Sequence, residues 1–307
     1  MPSPEMQQII DFLWASKESR PASGPSVEER RQSLDAMGGL FTPPPDVEAR
    51  QLEVAGVPCE QFDPPNRQPG TLLHFHGGAY TAGSLDSHRA MSARLAAACG
   101  CRVIAVGYRL APEHPFPAGL DDAYGVYNHL LGAGTDPSSV VLLGDSAGGG
   151  LATALFLRLR DEGGFLPSGG VLLSPWLDLT LEGESVSAKA AVDPMVNASD
   201  LTKSAGAYGG DRLREPRVSP IFGDFAGLPP FLVLVGSSEI LLDDSRLFAT
   251  RAQAQGVEVE LDVEEGLIHV WPFLDGVPES SASMERIGSW VATRLQEGPL
   301  VKGEATT

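Results

Sequence analysis

The sequence is poor in basic residues, in cysteine and in histidine, and it contains no long apolar run. Lys and Arg number 22 against 40 Asp and Glu in 307 residues, a net charge of −18. Nucleic-acid phosphates are met by clustered Lys and Arg, so no nucleic-acid partner is expected. Anionic lipid is disfavoured for the same reason. Three cysteines (Cys59, Cys99 and Cys101) are too few and too irregularly spaced for a disulfide framework or a zinc site. They read as small apolar residues, and no metal or cofactor is expected. No stretch approaches about 18 uninterrupted apolar residues, so no membrane span is expected. The opening run MPSPEMQQIIDFLWASKESR has no basic segment followed by a long apolar one. No signal peptide is therefore expected, and a cytoplasmic location is. In that setting the Asn197-Ala198-Ser199 sequon carries no glycan.

What is present is a rhythm of short apolar runs: LLHF (72–75), VIAV (103–106), VVLL (140–143), VLLS (171–174) and FLVLVG (231–236). They are near-continuous rather than alternating, as in parallel strands covered on both faces. Helix-like segments fall between and after them, near 87–99, 118–132, 147–161, 243–255 and 280–296. The alternation predicts an α/β fold with a mostly parallel central sheet flanked by helices. EVELDVEE (258–265) alternates more and reads as a shorter strand near the sheet edge. Two regions break the rhythm. Residues 1–45 read as a helix over Glu5–Lys17, a Pro/Ser/Gly break and a second helix over Val27–Met37. Residues 180–218 show no strand period. The length admits one large domain or two. The expectation is a single domain over 1–307, with a helical cap from 1–45 and 180–218 and a catalytic core from 46–179 and 219–298. A surface helix pair and a long loop is the blander alternative.

Gly144-Asp145-Ser146-Ala147-Gly148 follows the run VVLL and opens the helical segment GLATALFLRLR. This is the strand–turn–helix setting of a nucleophile elbow, whose glycines tolerate a turn where Cβ atoms would clash. The alternative is a glycine-rich turn with an idle serine. A hydroxyl needs a base to take its proton, and in this chain order the acid and then the histidine follow the serine. Of six histidines (His74, His76, His88, His114, His129 and His269), only His269 follows Ser146. A carboxylate must orient that imidazole. Glu239 lies nearest the end of FLVLVG and is preferred. Asp243 and Asp244 suit the first turn of the next helix, though Asp243 stays open as the acid. His76-Gly77-Gly78-Ala79-Tyr80 directly follows LLHF. Its glycines let backbone N–H groups approach a developing oxyanion. Gly78 and Ala79 are the leading donors, with Gly77 in the same loop and Ala147 beside the nucleophile. His76, Asp145, Gly144 and Gly148 read as supporting residues.

With these motifs quoted, the chain resembles the hormone-sensitive-lipase-like (bacterial family IV) esterases of the α/β-hydrolases, over about residues 70–295. His76–Tyr80 with Ser84, Ser87 and His88 is similar to that family's first signature, and Gly144–Gly149 to its second. Tyr108-Arg-Leu-Ala-Pro-Glu-His-Pro-Phe-Pro-Ala118 with Asp121 and Asp122 is similar to its third. The resemblance implies a serine carboxylesterase acting on short- to medium-chain esters through a Ser146–Glu239–His269 triad. It also implies a small-molecule ester as partner, and it makes a homodimer plausible. Amidase, lactonase or acyltransferase chemistry at the same triad is the alternative, and a non-catalytic small-molecule receptor is a remoter one. The chain departs from the family at Ala79, at Glu239 where Asp is usual, at Leu143, and at Val270-Trp271 where Gly-Phe is frequent. Arg109, Glu113 and Asp121 or Asp122 are expected to form one ion network bracing the elbow.

Overall fold

The computed structural model describes residues 1–18 and 24–296. Residues 19–23, in the expected Pro/Ser/Gly break, and 297–298, the end of the expected core, lie outside them. Eight strands form one sheet: β1 (Glu48–Val54), β2 (Val57–Asp63), β3 (Gln68–Phe75), β4 (Cys101–Val106), β5 (Val140–Asp145), β6 (Gly169–Leu173), β7 (Phe231–Gly236) and β8 (Val259–Glu264). Their order is β1-β2-β4-β3-β5-β6-β7-β8. From β4 to β8 every pairing is parallel, whereas β1–β2 and β2–β4 are antiparallel.

The parallel strands carry apolar side chains on both faces because both faces are covered. Leu73, Leu142, Leu172 and Val233 pack with α4 (Ala118–Gly132), α5 (Ala147–Asp161) and α8 (Leu242–Ala254). Their neighbours Leu72, Val141, Val171 and Leu232 point the other way, toward α3 (Leu85–Cys99) and α9 (Pro278–Gln296). Burial in successive positions removes the usual polar–apolar alternation. β8 lies at the sheet edge and is only partly buried, which explains its more alternating sequence.

The β1–β2 hairpin is a finding that the apolar-run pattern does not give. β1 is largely exposed, with Glu48, Arg50 and Glu53 on it, so it has no continuous apolar run. Ala55 and Gly56 both have positive φ (53° and 79°), as the inner residues of a two-residue hairpin turn require.

The rhythm-breaking segments are helical. α1 (Pro4–Glu18) and α2 (Val27–Gly38) occupy the N-terminal region, and α6 (Glu184–Ala188) and α7 (Ala198–Gly209) the later one. Ser26 and Glu29 form a capping box on α2. Asn197 caps α7 by accepting from the Asp200 N–H, so the sequon asparagine has a structural role. All three cysteines are buried and free. Among the described residues no helix is long and apolar enough to cross a membrane.

Candidate active site

The candidate side chains sit on loops that leave the C-terminal ends of β3, β5, β7 and β8. In parallel α/β sheets this end gathers catalytic loops, because each connection turns there from strand to helix.

Ser146 joins β5 to α5 in a strained turn, with φ 53° and ψ −120°. Its N–H donates to Leu173 O at 2.8 Å, which fastens the turn to the end of β6. Two glycines make the turn possible. A Cβ on Gly144 would lie 2.1 Å from Gly148 O, and one on Gly148 would lie 1.9 Å from Phe75 O. The positive end of the α5 dipole begins at Ala147, next to the serine.

His269 and Glu239 are brought together across 30 residues. The His269 Nδ1–H donates to Glu239 Oε2 at 2.7 Å. Glu239 is fully buried, and its other oxygen accepts from Ser174 Oγ at 2.7 Å and Gly236 N at 2.6 Å. Burial alone would lower the pKa of His269, but the charge and hydrogen bond of Glu239 reverse this, helped by the carboxylates of Asp193 and Asp145. The net result is an imidazole more basic than usual. The competing carboxylates are engaged elsewhere. Asp243 accepts from Ser185 N at 2.7 Å, and Asp244 accepts from Leu177 N and Asp178 N at 2.7 and 2.8 Å.

The loop after β3 offers two amides to the site rather than three. Gly77 N donates to Asp145 Oδ2 at 3.0 Å, so it is not free for an oxyanion, contrary to the expectation that grouped it with the donors. The expectation failed because the acceptor sits on a different strand. Among the described residues, the amides of Gly78, Ala79 and Ala147 make no hydrogen bond to the protein. Gly78 has φ 115°, and a Cβ there would lie 2.1 Å from Ala82 O. Ala79 follows in the left-handed region at φ 54°, a conformation that costs an L-residue about 1–2 kcal/mol.

The supporting residues brace this loop from below. His76 stacks on Tyr108 with ring centroids 4.4 Å apart, and its Nδ1–H donates to Gly77 O at 2.8 Å. Burial, with His88 nearby, pulls its pKa down to about 3, so it is a neutral brace. Asp145 accepts from His74 Nε2 at 3.2 Å and His88 Nε2 at 3.3 Å as well as from Gly77. Burial would make it a weaker acid, but the two imidazoles outweigh that and hold its carboxyl well below the usual range.

The expected single ion network around the third motif is instead divided, each of its acids meeting a different arginine. Arg109 grips Asp122 through two nitrogens, at 2.7 and 2.9 Å. Glu113 pairs with Arg31 of α2 at 2.7 Å. Asp121 pairs with Arg158 of α5 at 2.6 Å. Successive residues on the loop and on α4 face different elements, which a linear reading cannot separate.

Three further groups of contacts have no signal in the sequence. Arg30 of α2 donates to Thr81 Oγ1 and to Ser204 Oγ of α7, and Arg31 donates to Thr81 O. Together they tie both rhythm-breaking segments to the loop after β3. Asp193 is fully buried. Its Oδ1 accepts from Met195 N and Val196 N, and its Oδ2 from Ile240 N, the residue after Glu239. Ser174 links Glu239 to Val270 N, adjoining His269.

Ser146, His269, Gly78 and Ala79 open on one cavity of about 400 Å³. Its lining also includes Leu34 and Met37 of α2, Met195 and Val196 before α7, and Phe273 and Leu274 shortly after His269 in sequence. No cluster of His, Cys, Asp and Glu with metal-binding geometry occurs among the described residues.

Comparison with known proteins agrees with this architecture. A family profile for the alpha/beta hydrolase fold matches residues 72–273. An acetyl-hydrolase of Streptomyces hygroscopicus is 39% identical, covering 97% of this chain and 99% of that protein. An esterase of Acinetobacter venetianus is 38% identical over 86% of this chain and 88% of its own. The crystal structure of an esterase from the bacterial hormone-sensitive lipase family superposes with a TM-score of 0.91 at 40% identity. It covers 96% of this chain and 99% of its own. The chain therefore belongs to the α/β-hydrolase fold family and, within it, to the bacterial hormone-sensitive-lipase-type carboxylic ester hydrolases.

Proposed function

We propose that the protein hydrolyses short- to medium-chain carboxylic esters through an acyl-enzyme on Ser146, with His269 as base and Glu239 as the carboxylate that orients it. One observation carries this reading: a serine in a strained elbow, a carboxylate-bound imidazole and the uncommitted amides of Gly78 and Ala79 open on the same cavity, with the uncommitted Ala147 amide next to the serine in sequence. Ser146 Oγ attacks the ester carbonyl while His269 Nε2 takes its proton. Glu239 holds the opposite ring nitrogen in its protonated form, so that Nε2 carries the lone pair. The amides of Gly78, Ala79 and Ala147 receive the negative charge that develops on the carbonyl oxygen. His269 returns the proton to the departing alcohol. It then activates water against the acyl-enzyme, and the acid leaves. In this reading α1, α2 and residues 180–218 form a cap whose side chains bound the acyl and alcohol pockets.

The cavity supports acyl groups of limited length. It is mainly apolar, and its volume is at the small end of ligand pockets. Relatives named acetyl-hydrolase and ethyl acetate hydrolase point the same way. Each methylene buried in the transition state is worth at most about 0.8 kcal/mol, or roughly fourfold in rate. With p-nitrophenyl esters, kcat/KM is expected to rise by up to about that factor per methylene from acetate toward butyrate or hexanoate. It then falls once the chain outgrows the cavity that Met37, Leu34 and Met195 help to line. Initial rates on esters graded from acetate to hexadecanoate check this. A rise continuing to hexadecanoate would overturn the short-chain assignment. Preferred cleavage of the matching anilides or lactones would overturn the ester assignment.

A further inference from the structure

The end of β6 touches the surroundings of all three proposed catalytic residues. Leu173 O accepts the N–H of Ser146. The hydroxyl of the next residue, Ser174, donates to Glu239 Oε1 at 2.7 Å and accepts from Val270 N, adjoining His269, at 3.0 Å. Ser174 N in turn donates to Leu234 O of β7 at 2.7 Å. The side chain is fully buried.

The backbone at this junction is costly. Ser146, Ser174 and Val270 all lie in the left-handed region, with φ of 53°, 46° and 50°. Glycine is the residue that adopts such φ without penalty, and for β-branched Val270 the conformation is a true outlier. Strain of this kind persists where surrounding contacts over-determine it. Here the Ser174 hydroxyl supplies two of those contacts, one to the acid and one to the chain segment carrying the base.

We propose that Ser174 is a positioning residue for ester hydrolysis, its hydroxyl fixing the Glu239 carboxylate and the His269–Val270 segment relative to the nucleophile elbow. The inference rests on the triad reading above and deepens it. Three carboxylates face His269, from three elements: Glu239 after β7, Asp145 at the end of β5 and Asp193 before α7. Of these, Glu239 alone is hydrogen-bonded to the imidazole. Removing the Ser174 hydroxyl withdraws one of the donors that share the charge of Glu239. More of that charge then falls on the imidazolium, which holds its proton more tightly. The acid limb of the pH–rate profile should consequently move upward.

The test compares Ser174→Gly with Ser174→Ala in the full chain, using p-nitrophenyl butyrate from pH 5 to 9 alongside thermal unfolding. Glycine accepts φ 46° readily and alanine does not, so the glycine variant should melt higher than the alanine one. Both lack the hydroxyl. The expected result is that kcat falls roughly 10- to 100-fold in both, with KM within about threefold of wild type. The acid limb should rise by roughly half a unit in both. The glycine variant keeps the experiment decisive if the alanine variant does not fold.

The inference is overturned if Ser174→Gly retains kcat within about twofold, if its acid limb stays put or moves down, or if activity follows melting temperature rather than the hydroxyl. Glu239→Gln, measured in parallel, separates the two levels. An active Glu239→Gln removes the triad reading and this inference with it. An inactive Glu239→Gln beside an unaffected Ser174→Gly removes this inference alone.

Discussion

Ser146→Ala is expected to lower kcat/KM for p-nitrophenyl butyrate by about 10⁵-fold or more, equivalent to about 7 kcal/mol of transition-state stabilisation. In the proposed mechanism Ser146 alone forms the acyl-enzyme, and what remains in the variant is the rate supplied by binding and the proposed oxyanion amides. His269→Ala should match it, because a hydroxyl without its base is not a nucleophile at neutral pH. Glu239→Gln should cost about 10³- to 10⁴-fold. Its amide group can donate to Nδ1 and so favour the tautomer whose Nε2 already carries a proton and cannot accept one from Ser146. Asp243→Ala should stay within roughly fivefold, since Asp243 binds Ser185 N and not the imidazole. The same geometry sets the pH dependence. In the proposed mechanism His269 acts in its neutral form, and its pKa is raised from the ordinary 6.5, with burial opposing and Glu239 outweighing it. The acid limb of kcat/KM should therefore lie above pH 6.5, with activity lost as pH falls through it. In Glu239→Gln the residual activity should show that limb shifted downward. Full activity in Glu239→Gln together with a dead Asp243→Ala would reassign the acid.

Parts of this geometry are legible in the sequence and parts are not, for identifiable reasons. The parallel strands show because burial on both faces forces continuous apolar runs, as in FLVLVG, whose bounds Phe231–Gly236 coincide with β7. The hairpin β1–β2 does not show, because β1 is exposed and its short turn, Ala55-Gly56, lacks the usual Asn or Asp. The proximity of His269 to Glu239 can be read from chain order and from the distance to a strand end, both local quantities. The contacts of Ser174 and Asp193 depend on which strand ends are neighbours in space. That requires the order β5-β6-β7, which composition and periodicity do not encode. The engagement of the Gly77 amide is hidden from the sequence for the same reason. A Gly-Gly loop announces free amides, while the carboxylate that occupies one of them lies 68 residues further along the chain.

Gly148→Ala is expected to be strongly damaging, because it makes the shortest new Cβ contact of any glycine among the described residues. The new Cβ would lie 1.9 Å from Phe75 O, 2.6 Å from Phe75 C and 2.7 Å from His76 O. These are backbone atoms at the end of β3 and the start of the loop that follows it, so no side chain can rotate away. Either α5 lifts off the sheet or the end of β3 moves. Both motions separate the Ala147 amide from those of Gly78 and Ala79, and both disturb the turn that holds Ser146. Overpacking of this kind costs about 3 kcal/mol or more, a large part of a typical folding free energy. In whatever fraction folds, misaligned oxyanion donors should cost a further 10²- to 10³-fold in kcat. Gly206→Ala supplies the contrast. Gly206 lies within α7 with nothing within 4 Å of its missing Cβ. There the same substitution removes backbone freedom from the unfolded chain and should stabilise the protein by about 0.5–1 kcal/mol. Urea unfolding of the two variants, with kcat normalised by fluorophosphonate titration of the reactive serine, checks both signs. A Gly148→Ala protein that matched wild type in midpoint and kcat would show that α5 and the oxyanion loop are not held in the close contact from which the site is built.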